Sequence, residues 1–172
     1  MMAFSHETVG EGATNDWLTP PHIFKALGPF DLDPCASVDQ PWDTASHMIC
    51  PPDDGLVIPW RRGRVWLNPP YGKETYLWLN KLAEHGNGIA LTFARTETKG
   101  FVSSVWEKAD LLLFLHGRVK FRVPVTGEPG KTNAGSPSVL IAYGAENMNA
   151  LRMSGLEGTL VMPLGMPEKV GA

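Results

Sequence analysis

Two kinds of hydrophobic pattern alternate along the chain. Short apolar runs, typical of buried strands, predict strands at 30–33, 64–67, 89–94, 111–115 and 138–143. Between them, apolar residues that recur every three or four positions predict helices at 21–27, 74–84 and 99–109. Thr19, with Pro20 at the first helical position, is expected to cap the first helix, and Gly86 is expected to end the second.

Strands that are apolar on both faces and alternate with helices indicate one α/β domain with a mostly parallel sheet and helices on both faces. Right-handed crossovers in such a sheet place the strand ends, and with them a site, along one edge. This domain is predicted to span residues 15–146. Residues 1–14 are predicted to be mobile. Residues 147–172 are predicted to be a weakly structured tail in which 159–162 resembles a strand.

Bulk properties restrict the class of protein. The 172 residues suffice for one domain, no apolar segment has the length of a membrane span, and no signal peptide is recognisable. Two cysteines, Cys35 and Cys50, suit a reducing cytoplasm. The net charge of −3 is more acidic than that of most nucleic-acid binders, although a local basic face can still bind DNA. His47 and Cys50 have zinc-ligand spacing but no second pair, so no metal is predicted.

The most specific motif is Asn68-Pro69-Pro70-Tyr71, directly after the strand 64–67. The Asn68 side-chain oxygen can accept a hydrogen bond from an amino group. The two prolines donate no backbone N–H and fix the turn, and Tyr71 offers a flat face for stacking on a planar ring. Together these residues predict a pocket for the exocyclic amine of an aromatic base. The alternative is an ordinary turn, because Asn-Pro and Pro-Pro are turn dipeptides.

This motif is the signature of amino-group methyltransferases that use S-adenosylmethionine (SAM), and the chain from Asn15 to Tyr143 resembles the small phage-type, Dam-like DNA adenine methyltransferases. The matching segments occur in the order 16–20 (Asp-Trp-Leu-Thr-Pro), 30–36 (Phe-Asp-Leu-Asp-Pro-Cys-Ala), 54–56 with Trp60, and 68–71. The resemblance implies a reduced Rossmann-like, SAM-dependent fold acting in the cytoplasm of a bacterial or phage-infected cell. One departure from the wider superfamily is that 34–36 replaces the usual glycine-rich turn.

The resemblance also implies a SAM site. It assigns Asp33, at the end of the first strand, to the cofactor, and it places Asp54 nearby; both also suit ordinary turns. The residues predicted to bind SAM are Trp17, Thr19, Pro20, Asp33, Pro34, Ala36 and Asp54.

For the chemistry, the Asn68 oxygen and the Pro69 carbonyl are predicted to accept the two amino hydrogens of adenine, which frees the nitrogen lone pair. Tyr71 would stack on the base, and Pro70 would shape the turn. Methyl transfer is then a direct displacement that needs no covalent intermediate. A base in a duplex must flip out to reach such a pocket.

Contact with DNA is predicted for a basic stretch. Arg118, Lys120 and Arg122 alternate with apolar residues and therefore share one face of an extended segment, close to Lys131 and Asn133. The stretch 117–121 also resembles the family's element near the target pocket. A second cluster contains Arg61, Arg62 and Arg64. The alternative for both clusters is a solvated charged face.

Two other functions stay open. The motif also occurs in enzymes that methylate RNA adenine or protein glutamine, although these usually carry a glycine-rich SAM loop and an extra substrate domain. A non-catalytic module that binds nucleic acid or SAM is the second alternative. No separate target-recognition domain fits in this length, so specificity would come from loops such as 124–137 or from a homodimer, or would be low.

Overall fold

In a computed structural model that describes residues 17–61 and 63–165, the chain forms one seven-stranded sheet with helices packed against it. The strands are β1 (Leu32–Asp33), β2 (His47–Met48), β3 (Val65–Leu67), β4 (Gly88–Phe93), β5 (Leu111–Leu115), β6 (Ser138–Tyr143) and β7 (Gly158–Val161). The helices are α1 (Pro21–Lys25), α2 (Thr75–His85), α3 (Lys99–Phe101), a π-helical segment (Val102–Trp106) that continues α3, and α4 (Ala145–Met153). The predicted mobility of 1–14 lies outside the described residues.

The strand order is β2-β1-β3-β4-β6-β5-β7, and the sheet is mixed. β1 pairs in parallel with β2 and β3, and β3 pairs in parallel with β4. The longer ladders, β4 with β6, β6 with β5 and β5 with β7, are antiparallel. The prediction of a mostly parallel sheet was therefore wrong. The loop 116–137 joins β5 to β6 without a crossover helix, so β6 runs back beside β5 in the opposite direction.

Hydrophobic cores lie on both faces of the sheet, as the apolar runs predicted. On one face α2, α3 and the π-helical segment pack against β3 residues Val65 and Leu67. On the other face α1 and α4 pack around Trp66. Because alternate side chains of a strand point to opposite faces, the short strand β3 contributes to both cores and is buried throughout. Its carboxyl end is therefore a rigid support for the residues that follow it.

The ends of α1 and α2 test the predicted caps. Gly86 ends α2 in the left-handed conformation with φ of 72°, as predicted. Thr19 does not cap α1: Pro20 occupies the N-cap position, no side chain caps the helix, and Pro21 is the first helical residue. Pro20 is thus one position earlier than expected. The Thr19 hydroxyl therefore makes no capping hydrogen bond to α1.

The chain after Asn147 is more ordered than its sequence pattern indicated. Residues 145–153 form α4, and β7 adds a strand to the sheet by pairing with β5. The weakly structured tail was therefore a wrong prediction for the described residues up to 165, and the boundary at 146 falls inside a helix. The helix was missed because its buried positions are few and include a polar one, Asn147, alongside Leu151.

The described residues contain neither a candidate membrane-spanning helix nor a metal-binding cluster. No helix in the ranges 17–61 and 63–165 is both long and apolar enough to cross a membrane. In the same ranges no group of three or more His, Cys, Asp or Glu side chains is placed to hold a metal ion.

Candidate active site

A cleft opens at the carboxyl ends of β1 and β3, which are neighbours in the sheet. Asp33 is the last residue of β1, and Asn68 directly follows β3, so the parallel pairing brings the two together. The cleft is lined by Trp17, Leu18, Thr19, Asp33, Cys35, Ser37, Gln40, Thr44, Trp66, Asn68, Pro69, Pro70 and Tyr71. All four residues of the Asn-Pro-Pro-Tyr motif therefore lie at one site with part of the predicted cofactor set.

The turn that carries the motif is held by the first residue of α2. The buried Thr75 hydroxyl donates a hydrogen bond to the Pro70 carbonyl (2.7 Å) and accepts one from the Gly72 N–H (3.0 Å). This clamp joins the turn to the helix and fixes the direction in which the motif leaves β3. Sequence reasoning missed Thr75; a hydroxyl in the first turn of a helix, close after two prolines, was the available signal.

The Asn68 side chain is oriented by two contacts. Its Nδ2 donates to the Trp17 carbonyl at 2.7 Å, and its Oδ1 accepts a longer hydrogen bond, at 3.2 Å, from the Tyr71 hydroxyl. Burial raises the pKa of Tyr71 far above its usual range, so this hydroxyl stays protonated and remains a donor. Among the described residues none donates to the Pro69 carbonyl, which leaves this group available as an acceptor.

Tyr71 belongs to an aromatic cluster. Its ring stacks on Phe93, at the end of β4, with centroids 4.1 Å apart and an interplanar angle of 23°. Phe121 meets the Tyr71 ring edge-on with centroids 5.8 Å apart. Part of the surface that the sequence assigned to a substrate base is thus occupied by Phe93. Phe93 was not predicted at the site, and Phe121 was placed near it only as part of the stretch 117–121; each belongs to an apolar pattern that is also typical of core residues.

Asp33 is an acid buried at the base of the cleft. It is 3% exposed, and its carboxylate accepts hydrogen bonds from the Thr44 hydroxyl and from the Cys35 N–H (3.0 Å). Burial raises the pKa of Asp33 to about 6, although both hydrogen bonds act in the opposite direction. A carboxylate in this position is stabilised by a cationic or hydrogen-bond-donating ligand.

The partners of Asp33 come from the irregular segment between β1 and β2. Gln40 Nε2 donates to the Thr44 hydroxyl oxygen (3.1 Å), and the Thr44 hydroxyl in turn donates a hydrogen bond to the Asp33 carboxylate. Both residues line the cleft. Sequence analysis did not select them, because isolated Gln and Thr residues in a loop carry no periodicity or motif.

The segment 17–20 closes the cleft on the side of the first helix. Trp17 and Thr19 line it, and the Thr19 hydroxyl is buried with no hydrogen-bond partner among the described residues. An unpaired buried hydroxyl is costly, so a polar ligand in the cleft would stabilise it. Pro20 points to a neighbouring groove instead of the cleft.

Three other predicted cofactor residues lie outside the cleft. Pro34 and Ala36 are buried in the turn behind Asp33, where the Ala36 N–H donates to Ile49 (3.0 Å). Asp54 is exposed, and its carboxylate accepts from the Leu56 N–H (2.8 Å) as an ordinary turn residue does. The structure thus favours a structural role for all three.

The segment after Asp54 is nevertheless packed against the site. A Cβ atom on Gly55 would lie 1.9 Å from the Pro34 carbonyl oxygen, so only glycine fits there. Lys81 of α2 donates to the carbonyls of Gly55, Leu56 and Ile58 at 2.7–2.9 Å. The 54–56 element therefore supports the Asp33 turn from behind.

A basic groove lies beside the cleft, on the other side of the 17–20 segment. Its titratable side chains are basic or histidine except for one acid, and the groove is lined by Pro20 together with His22, His116, Arg118, Lys120, Arg122 and the acidic Glu157. Val119 and Phe121 are buried while Arg118 and Lys120 are exposed, so the predicted alternation holds over 118–121. It fails at the next pair, because Arg122 is half-buried and Val123 is exposed, and the segment is not part of the sheet.

Arg122 differs from its neighbours in the basic groove. Its backbone pairs in both directions with Leu18, at 3.1 and 2.8 Å, and its Nε is buried without a partner among the described residues. Lys131 and Asn133 are exposed on the same loop, and they line neither the cleft nor the basic groove.

The second basic cluster has a different position. Arg64 is buried at the amino end of β3, opposite the cleft, where its side chain binds protein carbonyls. Arg61 is exposed near that end, and Arg62 lies outside the described residues. Contact of this cluster with DNA at the cleft is therefore excluded for Arg64.

Acceptors for an amine beside a buried acid, at the carboxyl ends of strands in an α/β sheet, are typical of amino-group methyltransferases. A comparison with family models agrees: the family described as DNA N-6-adenine-methyltransferase (Dam) matches residues 7–154. The chain belongs to this family, and the resemblance inferred from the motifs is confirmed. Comparisons with curated proteins and with solved structures found no match.

Proposed function

We propose that the protein transfers a methyl group from SAM to the N6 amine of adenine in DNA. The observation that carries this proposal is the pairing of Asn68 and Pro69, two acceptors in the cleft, with the buried acid Asp33 opposite them. Family membership supports adenine in DNA as the acceptor. The cofactor and the site residues are inferred from the chemistry of the cleft.

Asn68 and Pro69 would activate the amine. The nitrogen lone pair of adenine is delocalised into the ring, which makes the amine a poor nucleophile. When the Asn68 Oδ1 and the Pro69 carbonyl each accept one amino hydrogen, they hold the nitrogen in a geometry that frees this lone pair. The long hydrogen bond from Tyr71 to Asn68 is a contact that the substrate amine can replace.

The other side of the cleft fits SAM. When bound, SAM supplies an electrophilic methyl group on a sulfonium centre. The Asp33 carboxylate would accept hydrogen bonds from the α-ammonium group or from a ribose hydroxyl, and the unpaired Thr19 hydroxyl would gain a partner. An ammonium group beside Asp33 would lower the pKa of this carboxyl and keep it ionised.

The fold supports the same assignment. The strands β1, β3 and β4 run in parallel, and the cleft lies at their carboxyl edge, where α/β sheets bind their ligands. On this proposal the fold is a reduced Rossmann-like one that β6, β5 and β7 extend on one side, with β6 and β7 antiparallel to the other strands.

DNA would lie across the basic groove. Arg118, Lys120 and Arg122 would contact phosphates, with Lys131 and Asn133 near the strand on the same loop. The 17–20 segment separates the groove from the cleft. A target adenine in a duplex would therefore leave the stack and pass over this segment to reach Asn68.

The test is nucleoside mass spectrometry on unmethylated DNA incubated with SAM and the protein. The wild type should form N6-methyladenine, and Asn68→Ala should form it about 10²–10³-fold more slowly because one acceptor is lost. SAM affinity, measured by calorimetry, should stay within a few-fold. Asn149→Ala, an exposed change on α4, is the matched control and should behave as the wild type.

Other outcomes would redirect the proposal. Equal turnover by Asn68→Ala and wild type would contradict the role of Asn68. SAM binding without any methylated base in DNA would favour RNA or protein glutamine as acceptor, or a binding module, and each can be assayed with the same instrument.

A further inference from the structure

The orientation of the Asn68 amide is set by the backbone carbonyl of Trp17, which lies 51 residues earlier in the sequence. The Trp17 carbonyl lies 2.7 Å from Asn68 Nδ2. A carbonyl only accepts hydrogen bonds, so the NH₂ group of the amide must face Trp17. The amide oxygen is thereby forced to the opposite side, where it accepts from Tyr71. This is the atom that must accept the amine.

The Trp17 carbonyl is itself held in place. The next residue, Leu18, exchanges two backbone hydrogen bonds with Arg122, as in an antiparallel sheet. A Cβ atom on Gly130 would lie 3.3 Å from the Trp17 ring, so the ring rests on the backbone of the same loop. Arg122 is in turn bridged to Pro129. The segment 17–20 is therefore a strap fastened to the loop 116–137.

We infer that this strap is a positioning element. Through its carbonyl, Trp17 fixes which atom of Asn68 faces the substrate amine, and through Leu18 the strap links Asn68 to the basic groove at Arg122. The inference rests on the proposed function and adds to it how the acceptor atom is selected.

Arg122 links the strap to the groove. Its side chain lines the groove with a buried Nε that has no partner among the described residues, while its backbone holds Leu18. A phosphate bound by this side chain would fix the residue that fastens the strap. Arg118 lines the same groove, but no backbone hydrogen bond joins it to the strap. The two arginines thus form a matched pair.

The first test is the pH profile of Asn68→Asp, a change of nearly the same shape. An ionised aspartate has only acceptors, and one of them would face the Trp17 carbonyl. Only the protonated acid can donate to Trp17 while its other oxygen accepts the amine. The turnover of Asn68→Asp, divided by that of the wild type, should therefore rise about tenfold for each pH unit of acidification above the pKa of the new acid.

The wild type corrects for the other titrating groups that face this position. These are Asp33 and Cys35, which line the same cleft, and Tyr71, which donates to Asn68. A ratio that is flat with pH, or no activity of the variant at any pH, would overturn the inference. A wild type that makes no N6-methyladenine would instead show that the proposed function itself has failed.

The second test compares Arg122→Gln with Arg118→Gln at saturating DNA. Both variants should raise KM for DNA, because each removes a cation from the groove. Only Arg122→Gln should also lower kcat, by several-fold, because bound phosphate then no longer fixes the residue whose backbone holds Leu18. Equal kcat for the two variants would overturn the link between the groove and Asn68.

Discussion

The two edges of the sheet use polar side chains in opposite ways. At the amino edge Arg64 is 7% exposed, and each of its three guanidinium nitrogens donates a hydrogen bond to a protein acceptor. At the carboxyl edge the Thr19 hydroxyl and Arg122 Nε are buried without partners among the described residues. A polar group that the fold satisfies holds the fold together. Of the buried groups without partners among the described residues, the Thr19 hydroxyl lines the cleft and is available to a ligand there, whereas those of Trp42, Trp78 and Ser138 do not line it.

Arg64 illustrates the satisfied edge. Its guanidinium donates to the Leu27 and Pro29 carbonyls and to Asn147 Oδ1 at 2.8–2.9 Å, and it lies 4.6 Å from the centre of the Phe30 ring. Burial lowers the pKa of Arg64, and the nearby Glu146 and Asp31 partly oppose this shift. One side chain thus joins the end of α1, the start of β3 and α4.

The largest expected effect is the loss of stability when Arg64, at the amino edge, is replaced. Arg64→Ala leaves two buried carbonyls and the Asn147 amide without their donor, and it should lower the free energy of unfolding by about 3 kcal/mol or more. Urea unfolding monitored by Trp fluorescence measures this change. Arg61→Ala, at an exposed position three residues away, should change it by less than about 0.5 kcal/mol. Similar values for both variants would show that Arg64 has no special role.

The next effect is a gain in stability, opposite in sign to that of Arg64→Ala, and concerns Asp33. Because burial raises its pKa from 3.8 to about 6, the ligand-free protein disfavours the ionised form. The contribution of Asp33 to stability is therefore most favourable below pH 4 and is lost as the pH rises through about 6. At pH 8 Asp33→Asn should raise the free energy of unfolding by up to about 3 kcal/mol.

The same variant should lose SAM affinity, because a neutral amide attracts an ammonium group less strongly. Thermal unfolding and calorimetry measure the two properties. Asp31→Asn at the amino edge is the control. The Asp31 carboxylate is exposed and accepts a hydrogen bond from the backbone N–H of Arg64 at 2.6 Å, so removing its charge should not stabilise the protein. A less stable Asp33→Asn at pH 8 would contradict the contrast between the edges.

The smallest expected effect is on DNA affinity. Neutralising Arg118, Lys120 and Arg122 together should weaken DNA binding by about tenfold or more near physiological salt. It should also reduce the slope of log affinity against log salt by up to about 3, one for each lost phosphate contact. Fluorescence anisotropy over a range of salt concentrations measures both. An unchanged slope would place the phosphates elsewhere on the molecule.

Local patterns predicted the parts of the fold that depend on local physics. The bounds of β5 and β6 match their apolar runs, and the Asn-Pro-Pro-Tyr turn lies at a strand end beside Asp33, as expected. Strand direction was not predictable in the same way, because strands covered on both faces carry the same apolar run whether parallel or antiparallel. Arg64 shows a second limit: charge in a sequence does not reveal that its partners, such as Asn147, lie 83 residues away.

The same limit applies within the site. Thr44 and Gln40 reach Asp33 only because the segment between β1 and β2 folds back over the strand end. The functional meaning of Trp17 depends on its backbone carbonyl, which every residue type carries. No feature of composition or spacing distinguishes Thr44 and Gln40 before the chain is folded, and the 16–20 motif that selected Trp17 does not reveal the role of its carbonyl.

The position of β7 also bears on how the gene can be shortened. A protein ending at residue 146 would lack β7, the strand that pairs with β5. The strand β5 (Leu111–Leu115) has only apolar side chains, and its unpaired backbone N–H and C=O groups would then form an exposed edge of the sheet. Such an edge templates pairing with other chains. A version trimmed at that point should therefore collect in inclusion bodies even though every residue of the cleft is still present.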